Sequence, residues 1–317
     1  MEIIRDLAEM QLALQGGAVT IGNFDGVHQG HAKLLEQLTL RAREVCGPAI
    51  VLTFDPHPVR ILRPELAPPP LTWTSRKAEL LSDLGVDAMV VYPTDKKLLS
   101  LSAEQFFEKI VIQRLGAKAL VEGPNFAFGR DRGGSIEILQ SLCDAHDVQL
   151  QIVPPLLEGD QFVSSSRIRA AISTGDVDMA AKMLTRPYRV RGMVTHGMNR
   201  GAAMGFPTAN LDGIDTLVPA AGVYAAVAWW QGRPYAAAVN VGGNPTFAEA
   251  EHKFEVHLLD FKEMIYGHVL SVDILSRLRG VEAFDNKDAL FAQVQQDIVA
   301  VRNLSLPWLA GTTNDEQ

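Results

Sequence analysis

The chain has 317 residues, 47% of them apolar and 21% charged, with a formal net charge of −8. At about 100–200 residues per domain, that length predicts two domains with buried cores, and the composition excludes a disordered or fibrous protein. The acidic balance argues against a broad nucleic-acid surface, because neutralising a phosphate backbone needs clustered basic groups. A small polyanion held by a few local donors is unaffected.

The first residues include Glu2, Asp6 and Glu9 and have no long apolar core, so they do not read as a secretory signal. The weakly polar stretch 220–230 falls far short of the roughly 20 residues that span a bilayer. The expectation is a cytoplasmic protein that engages neither membrane nor nucleic acid. The two cysteines, Cys46 and Cys143, match no CxxC spacing and are expected to be buried, reduced thiols.

From residue 18 onward, apolar runs alternate with amphipathic ones. Strands are predicted at 18–22, 49–54, 88–92, 119–122 and 148–153, and helices at 31–45, 75–84, 103–115 and 135–146. That order implies parallel strands joined by crossover helices. A further helix over 177–184 runs up to Arg186-Pro187, where proline's fixed φ and missing donor favour a break. The boundary is placed there, giving domains 1–185 and 186–317. Beyond it the period changes to two: runs 223–230 and 235–241 flank a Gln231-Gly232 turn, and 254–261 and 269–275 follow. The second domain therefore reads as mainly antiparallel β. A terminal helix is predicted over 287–301, where Leu290, Val294, Ile298 and Val301 recur at helical spacing, with Asp285 or Asn286 as its cap.

Chemistry concentrates first in residues 22–31, Gly22-Asn23-Phe24-Asp25-Gly26-Val27-His28-Gln29-Gly30-His31, between the first predicted strand and helix. Unpaired amide donors and the macrodipole at a helix start attract anions, and Gly30 lets the main chain approach closely. His28 and His31, three apart, can aim both imidazoles at one triphosphate. Taken alone, they also fit a helix cap or a half-built metal site. A second run, Ser164-Ser165-Ser166-Arg167-Ile168-Arg169, sets hydroxyls and guanidiniums at another helix start, which again suits phosphate.

Together these runs resemble the HxGH and SSTxxR pair of the nucleotidylyltransferase superfamily, and the longer stretch through His31 is similar to its FAD synthetase type. Thr53-Phe54-Asp55-Pro56-His57-Pro58 and the loop Gly123-Pro124-Asn125-Phe126-Ala127-Phe128-Gly129 extend the likeness. The resemblance implies that His28 and His31, with Ser164, Ser166 and Arg169, handle the triphosphate. It also implies that Gly22, Phe24, Asp25, Gly30 and Asn125 border the nucleotide and that Phe54, Asp55, His57 and Pro58 border the flavin. Ser166 stands where threonine is common, and the hydroxyl survives. The implied chemistry is in-line attack of an FMN phosphate on the α-phosphorus of ATP, which needs positioning and charge stabilisation and no protein nucleophile.

No GxxxxGK[ST] sequence occurs, so a kinase here would work without a P-loop. The second domain carries Gly197-Met198-Asn199-Arg200-Gly201-Ala202-Ala203-Met204-Gly205-Phe206-Pro207-Thr208-Ala209-Asn210, which resembles the glycine-rich loop and PTAN motif of riboflavin kinases. Gly222-Val223-Tyr224, Asn240-Val241-Gly242, Asn244-Pro245-Thr246-Phe247, the run 254–261 and Tyr266-Gly267 continue that likeness. On an extended segment Thr208 and Asn210 point to the same side and can jointly hold Mg²⁺ and phosphate oxygens. Glu255 alternates out of phase with Phe254 and Val256, placing it on one face with His257 and Leu259. By resemblance it is the base that takes the proton of the ribityl 5′-hydroxyl. Gly197, Arg200, Gly205 and Pro207 would border the kinase's ATP. Ala202 replaces a common arginine, a loss for which Arg200 would compensate.

The expected fold is thus a Rossmann-like nucleotidylyltransferase sheet of parallel strands, followed by an antiparallel six-stranded β-barrel of riboflavin kinase type with a terminal helix. The expected activities are phosphorylation of riboflavin to FMN and adenylylation of FMN to FAD, with ATP as co-substrate, Mg²⁺ as metal and no bound prosthetic group. Two other readings are a chain with one live domain and one that only binds flavin, and a flavin-binding regulator with vestigial sites. The retention of both histidines, the Ser/Arg run, Thr208, Asn210 and Glu255 disfavours the latter. The sequence leaves oligomeric state open.

Overall fold

A computed structural model describes residues 1–7, 10–196, 205–242 and 253–310. The chain divides into two compact units, Met1–Pro68 with Thr72–Ser164, and Pro69–Leu71 with Ser165–Gln317.

The first unit is built on six strands: β1 Glu2–Ile4, β2 Ala18–Ile21, β3 Ala49–Asp55, β4 Ala88–Pro93, β5 Ala119–Glu122 and β6 Gln149–Ile152. They form one sheet in the order β1-β4-β3-β2-β5-β6, with every pairing parallel. Buried on both faces, the central strands read as near-continuous apolar runs, interrupted by Thr20: Ala18 to Ile21 and Ala49 to Leu52 are all buried. One face packs Leu35, Leu38 and Ala42 of helix α1 (Gln29–Glu44). Beside them lie Ala78, Leu80 and Leu81 of the helix Thr74–Asp83. The other face takes Phe106, Phe107, Ile110 and Val111, together with Leu139 and Cys143 of the helix Ile136–Ala145. The predicted helix over 103–115 is α-helical only at Ala103–Phe106 and continues as a π-helical segment, Phe107–Ile112. The strand β1, which has too few residues to show a period, was not predicted.

The crossover after β2 and the one after β5 lie on opposite faces, so these neighbours form the topological switch point of the sheet. They pair at Ala18–Ala119 and Val19–Leu120. Further along, the amide of Ile21 donates to the side-chain Oε1 of Glu122 at 2.7 Å. The carboxyl thus bridges the strands where they part.

The second unit contains helices Ser165–Thr174 and Val177–Leu184 and a closed six-stranded barrel. Its strands are β9 Tyr188–Thr195, β10 Ala209–Asp212, β11 Gly222–Trp230, β12 Arg233–Gly242, β13 Lys253–Leu258 and β14 Val269–Arg279, counted after a short hairpin, β7 Leu157–Glu158 and β8 Gln161–Phe162, in the first unit. The order round the barrel is β10-β13-β12-β11-β14-β9, all antiparallel. Gln231 and Gly232 join β11 to β12 at φ of 48° and 79°, the left-handed pair that a two-residue hairpin of this twist requires.

Cross-strand partners Tyr224, Val239 and Val256 are each buried to 0% exposure and fill the interior with Phe254, Leu258, Val272 and Ile274. The barrel is a packed core, so a site can only form on its outer wall or rim. The terminal helix, Lys287–Leu309, is capped by Asn286, whose side chain accepts from Ala289 N, and it packs Val301 and Ile298 on Ala225, Ala236 and Ala238. Leu259, expected on the face of Glu255, lies just past β13 and is buried in this helix contact.

Cys143 is buried as expected, and that burial pushes its thiol pKa up to about 12, leaving it inert. Cys46 is exposed instead, because it sits at φ 52° in the turn that ends α1.

Glu122 is 2% exposed, and burial raises its pKa well above the usual carboxylate value, against the smaller lowering effect of the Ile21 amide. A carboxyl with a raised folded pKa keeps its proton while the unfolded chain has lost its own. Stability therefore falls as pH rises above the unfolded value of about 4.3. Glu122→Gln keeps an oxygen for Ile21 without that linkage. Its unfolding midpoint relative to the parent is expected to rise steadily from pH 4 to pH 7 in thermal melts; a constant offset would show that Glu122 does not carry a buried proton.

Candidate functional site

The carboxyl ends of β2 and β5 each open into one of the singled-out loops, 22–31 and 123–129. Both therefore sit at the switch point, where open α/β sheets bind ligands. The end of β3 adds residues 53–58, with Asp55-Pro56 joined by a cis bond. Sequence-distant candidates Gly22, Phe24, Asp25, His28, Gly30, His31, Phe54, Asp55, His57, Pro58 and Asn125 all lie on these three strand ends, in the loops that leave them or in the first turn of the helices that follow.

His28 is the N-cap of α1, and its Nδ1 accepts the amide of His31 at 3.3 Å. With Nδ1 accepting, the neutral ring carries its proton on Nε2, the tautomer that donates outward. The two imidazoles stack with centroids 3.7 Å apart and planes 14° off parallel, and Phe24 abuts His31 at 4.9 Å. A Cβ on Gly30 would stand 3.2 Å from the His28 ring, a tight approach that would press that ring off the helix start.

The loop holds an unfavourable backbone to achieve this. Phe24 and Val27 have φ of 46° and 40°, left-handed values that cost a non-glycine residue, and a β-branched one above all, of order 1–3 kcal/mol. Side chains fix it from outside. The Asp25 carboxylate, 8% exposed, accepts from Thr72 N and Thr72 Oγ1, both at 3.1 Å, and Thr72 Oγ1 accepts from Gly26 N at 3.2 Å. Asn125 is exposed on its loop, within a turn closed by Phe126 N donating to Gly123 O. Ser164 directly precedes the helix Ser165–Thr174, and Ser166 and Arg169 lie in its first two turns, where Arg169 Nε donates to Pro69 O at 2.8 Å.

In the second unit the strand register does the assembling. Asn210 on β10 and Asn240 on β12 both stand opposite Glu255 on β13. Directly opposed residues project to the same face, so three polar side chains form a row across the outer wall. Asn240 Nδ2 donates to Glu255 Oε2 at 3.3 Å. Thr208 comes two residues before Asn210, and the segment is pinned by His257 Nδ1 donating to Pro207 O at 2.7 Å. Phe206 completes the anchor by contacting His257 edge-on and Phe291 of the terminal helix. Gly205 turns the chain into this segment at φ 86°, a conformation only glycine takes cheaply. Gly197, Arg200 and Ala202 lie outside the described residues.

Among the described residues no group of three or more His, Cys, Asp or Glu side chains is arranged to hold a metal. Thr208 and Asn210 instead supply neutral oxygens beside one carboxylate. That set suits a hard divalent ion completed by nucleotide phosphates and water, rather than one caged by protein.

Sequence reasoning assigned no role to Asn240, Thr72, Lys77 or Asn23. Asn240 had a signal, since its phase on β12 matches that of Glu255 on β13. The other three gain their positions through contacts between elements far apart in sequence, which no local pattern reports.

The FAD synthetase family model matches residues 10–167 and the riboflavin kinase model residues 184–305. The bifunctional riboflavin kinase/FMN adenylyltransferase of Pseudomonas fluorescens is 34% identical over 97% of this chain and 99% of its own. The protein of the same description from Escherichia coli K12 is 33% identical over 95% and 97%. A crystal structure described as a macrolide-efflux protein from Streptococcus pneumoniae matches with a TM-score of 0.85 at 34% identity, covering 95% of this chain and 98% of that one. Among the described residues here, no helix is long and apolar enough to cross a membrane. With near-complete coverage on both sides and each half matched by its own model, the chain belongs to the bifunctional riboflavin kinase/FMN adenylyltransferase family.

Proposed function

We propose that this chain makes FMN from riboflavin and ATP with residues 186–317 and converts FMN to FAD with residues 1–185, using the residues below. The observation that carries the reading is the paired assembly: stacked His28 and His31 at the switch point, and the Asn210–Glu255–Asn240 row on the barrel wall. The proposed boundary follows Thr185, which ends its helix at φ 62°, with β9 starting at Tyr188.

In the adenylyltransferase the FMN phosphate attacks the α-phosphorus of ATP in line and pyrophosphate leaves. FMN is already anionic, so no base is needed, and the barrier is lowered by orientation and by donors aimed at the charge that develops. The Nε2–H of His28, the His31 ring and the first-turn amides of α1 supply those donors, with the helix dipole behind them. Ser164, Ser166 and Arg169 hold the remaining triphosphate oxygens; the first two fall within the span of the FAD synthetase family model, and Arg169 lies just beyond it. Gly22, Phe24, Asp25, Gly30 and Asn125 border the nucleotide, and the 54–58 segment (Phe54, Asp55, His57, Pro58) borders the flavin.

In the kinase, Glu255 accepts the proton of riboflavin's terminal ribityl hydroxyl as that oxygen attacks the γ-phosphorus, releasing ADP. Asn240 keeps the carboxylate oriented. Thr208 and Asn210 hold Mg²⁺ with the nucleotide, and Gly197, Arg200, Gly205 and Pro207 border the phosphates. When bound, the ion neutralises phosphoryl oxygens. The working compartment is the cytoplasm, and the partners are the small molecules riboflavin, FMN, FAD and ATP, with no nucleic acid or membrane.

Incubating the protein with riboflavin, ATP and Mg²⁺ and separating the flavins is expected to yield both FMN and FAD. His31→Ala is expected to slow FAD formation by roughly 10²- to 10³-fold, the range for one oriented transition-state donor, while FMN formation continues; equal losses would refute separate sites. Glu255→Gln is expected to cut riboflavin phosphorylation by about 10²-fold or more, the usual worth of a general base, and to spare adenylylation of supplied FMN. Normal kinase turnover in that variant removes Glu255 from its role.

A further inference from the structure

Asn23 lies between the end of β2 and the left-handed Phe24, and it is gripped at both its polar groups. Its backbone carbonyl accepts from Lys77 Nζ at 2.6 Å and from the buried Thr53 Oγ1 at 3.3 Å. Its side-chain Nδ2 lies 2.8 Å from His57 Nε2. His57 in turn caps the helix Pro58–Leu62, its Nδ1 accepting the amide of Val59 at 3.1 Å.

The cap fixes the tautomer. A neutral imidazole whose Nδ1 accepts carries its proton on Nε2, so the contact becomes a hydrogen bond when the Asn23 amide is turned to set Oδ1, in place of Nδ2, against Nε2. Both ring nitrogens of His57 are therefore committed within the chain, one to a helix start and one to Asn23. Lys77 is committed in the same direction. Its ammonium is taken from solvent, which lowers its pKa from the ordinary lysine value, and Asp25 and Asp55 act in the opposite sense to keep it charged. The cost of taking that ammonium out of water is offset by its hydrogen bond to the Asn23 carbonyl and by the two carboxylates.

The contacts run onward without a gap. Asn23 sets the carbonyl and direction of the chain entering Phe24, the Phe24 ring abuts His31, and His31 stacks on His28. We propose that Lys77 and His57 are positioning residues for the paired imidazoles, acting through Asn23, whose carbonyl and side-chain amide they hold from separate elements. This rests on the adenylyl-transfer reading of the His28–His31 pair and gives His57 a task distinct from contacting flavin.

The test uses the full-length chain with Lys77→Met, which keeps the stem but loses the donor, with His57→Asn, which can still cap the helix but no longer reaches Asn23, and with both together. FAD formation from supplied FMN is followed at varied FMN and ATP. Each single change is expected to lower kcat by about tenfold or more with both KM values within about threefold, as for a displaced catalytic group. Because the two act on one residue, the double variant should lose little beyond the worse single one. Riboflavin phosphorylation by the same samples should match the parent.

A kcat within twofold of the parent would overturn the proposal. So would a raised KM for FMN with kcat spared, which makes His57 a flavin contact, or losses that multiply in the double variant. A parallel fall in phosphorylation would also overturn it, as a general defect of folding. Failure of the parent chain itself to make FAD would instead refute the reading on which the proposal rests.

Discussion

Two parallel strands whose crossovers leave on opposite faces must part at their carboxyl ends, and that geometric necessity between β2 and β5 organises the first unit. The amide of Ile21 loses a carbonyl partner there, and the chain supplies the Glu122 carboxyl in its place. The gap opened by the divergence is where the next residues of β2 and β5 emerge. Every later feature of the site, from the left-handed backbone of Phe24 and Val27 to the stacked imidazoles, is a response to turning a strand into a helix over that gap.

The barrel meets the opposite constraint. A closed ring of six strands packed with Tyr224, Val239 and Val256 leaves no lumen, so its chemistry is written on the outer wall by register alone. Glu255 acquires Asn210 on one side and Asn240 on the other because β13 lies between β10 and β12. In the proposed reading neither unit needs a P-loop: one would offer a capped helix start to the triphosphate, the other a row of oxygen and amide groups.

Much of this was readable from residue order. The runs at Ala18, Ala49, Ala88 and Ala119 are mostly apolar because both faces are covered, and Gln231-Gly232 announces a tight hairpin. What escaped had weak local signals. Ala209–Asp212 is rich in polar residues and shows no apolar alternation; its extended form was legible only from the motif, and it is a strand because β9 and β13 both pair with it. Tyr188–Thr195 alternates strictly in burial, but its outward Arg189 and Arg191 dilute the apolar signal. Lys77 looks like any solvated lysine on a surface helix until the fold sets its ammonium against Asn23, Asp25 and Asp55. The motif histidines were visible; the groups that hold them were not.

The separation of the barrel's interior from its reactive wall has a practical corollary. Side chains such as Glu255 and Asn240 are not part of the hydrophobic filling, so altering them leaves the scaffold's packing intact. If Glu255 is the base proposed above, versions of the barrel silenced there should remain well-folded receptors. They offer a way to hold vitamin and nucleotide together without turnover, and a starting framework on which new phosphoryl acceptors can be selected.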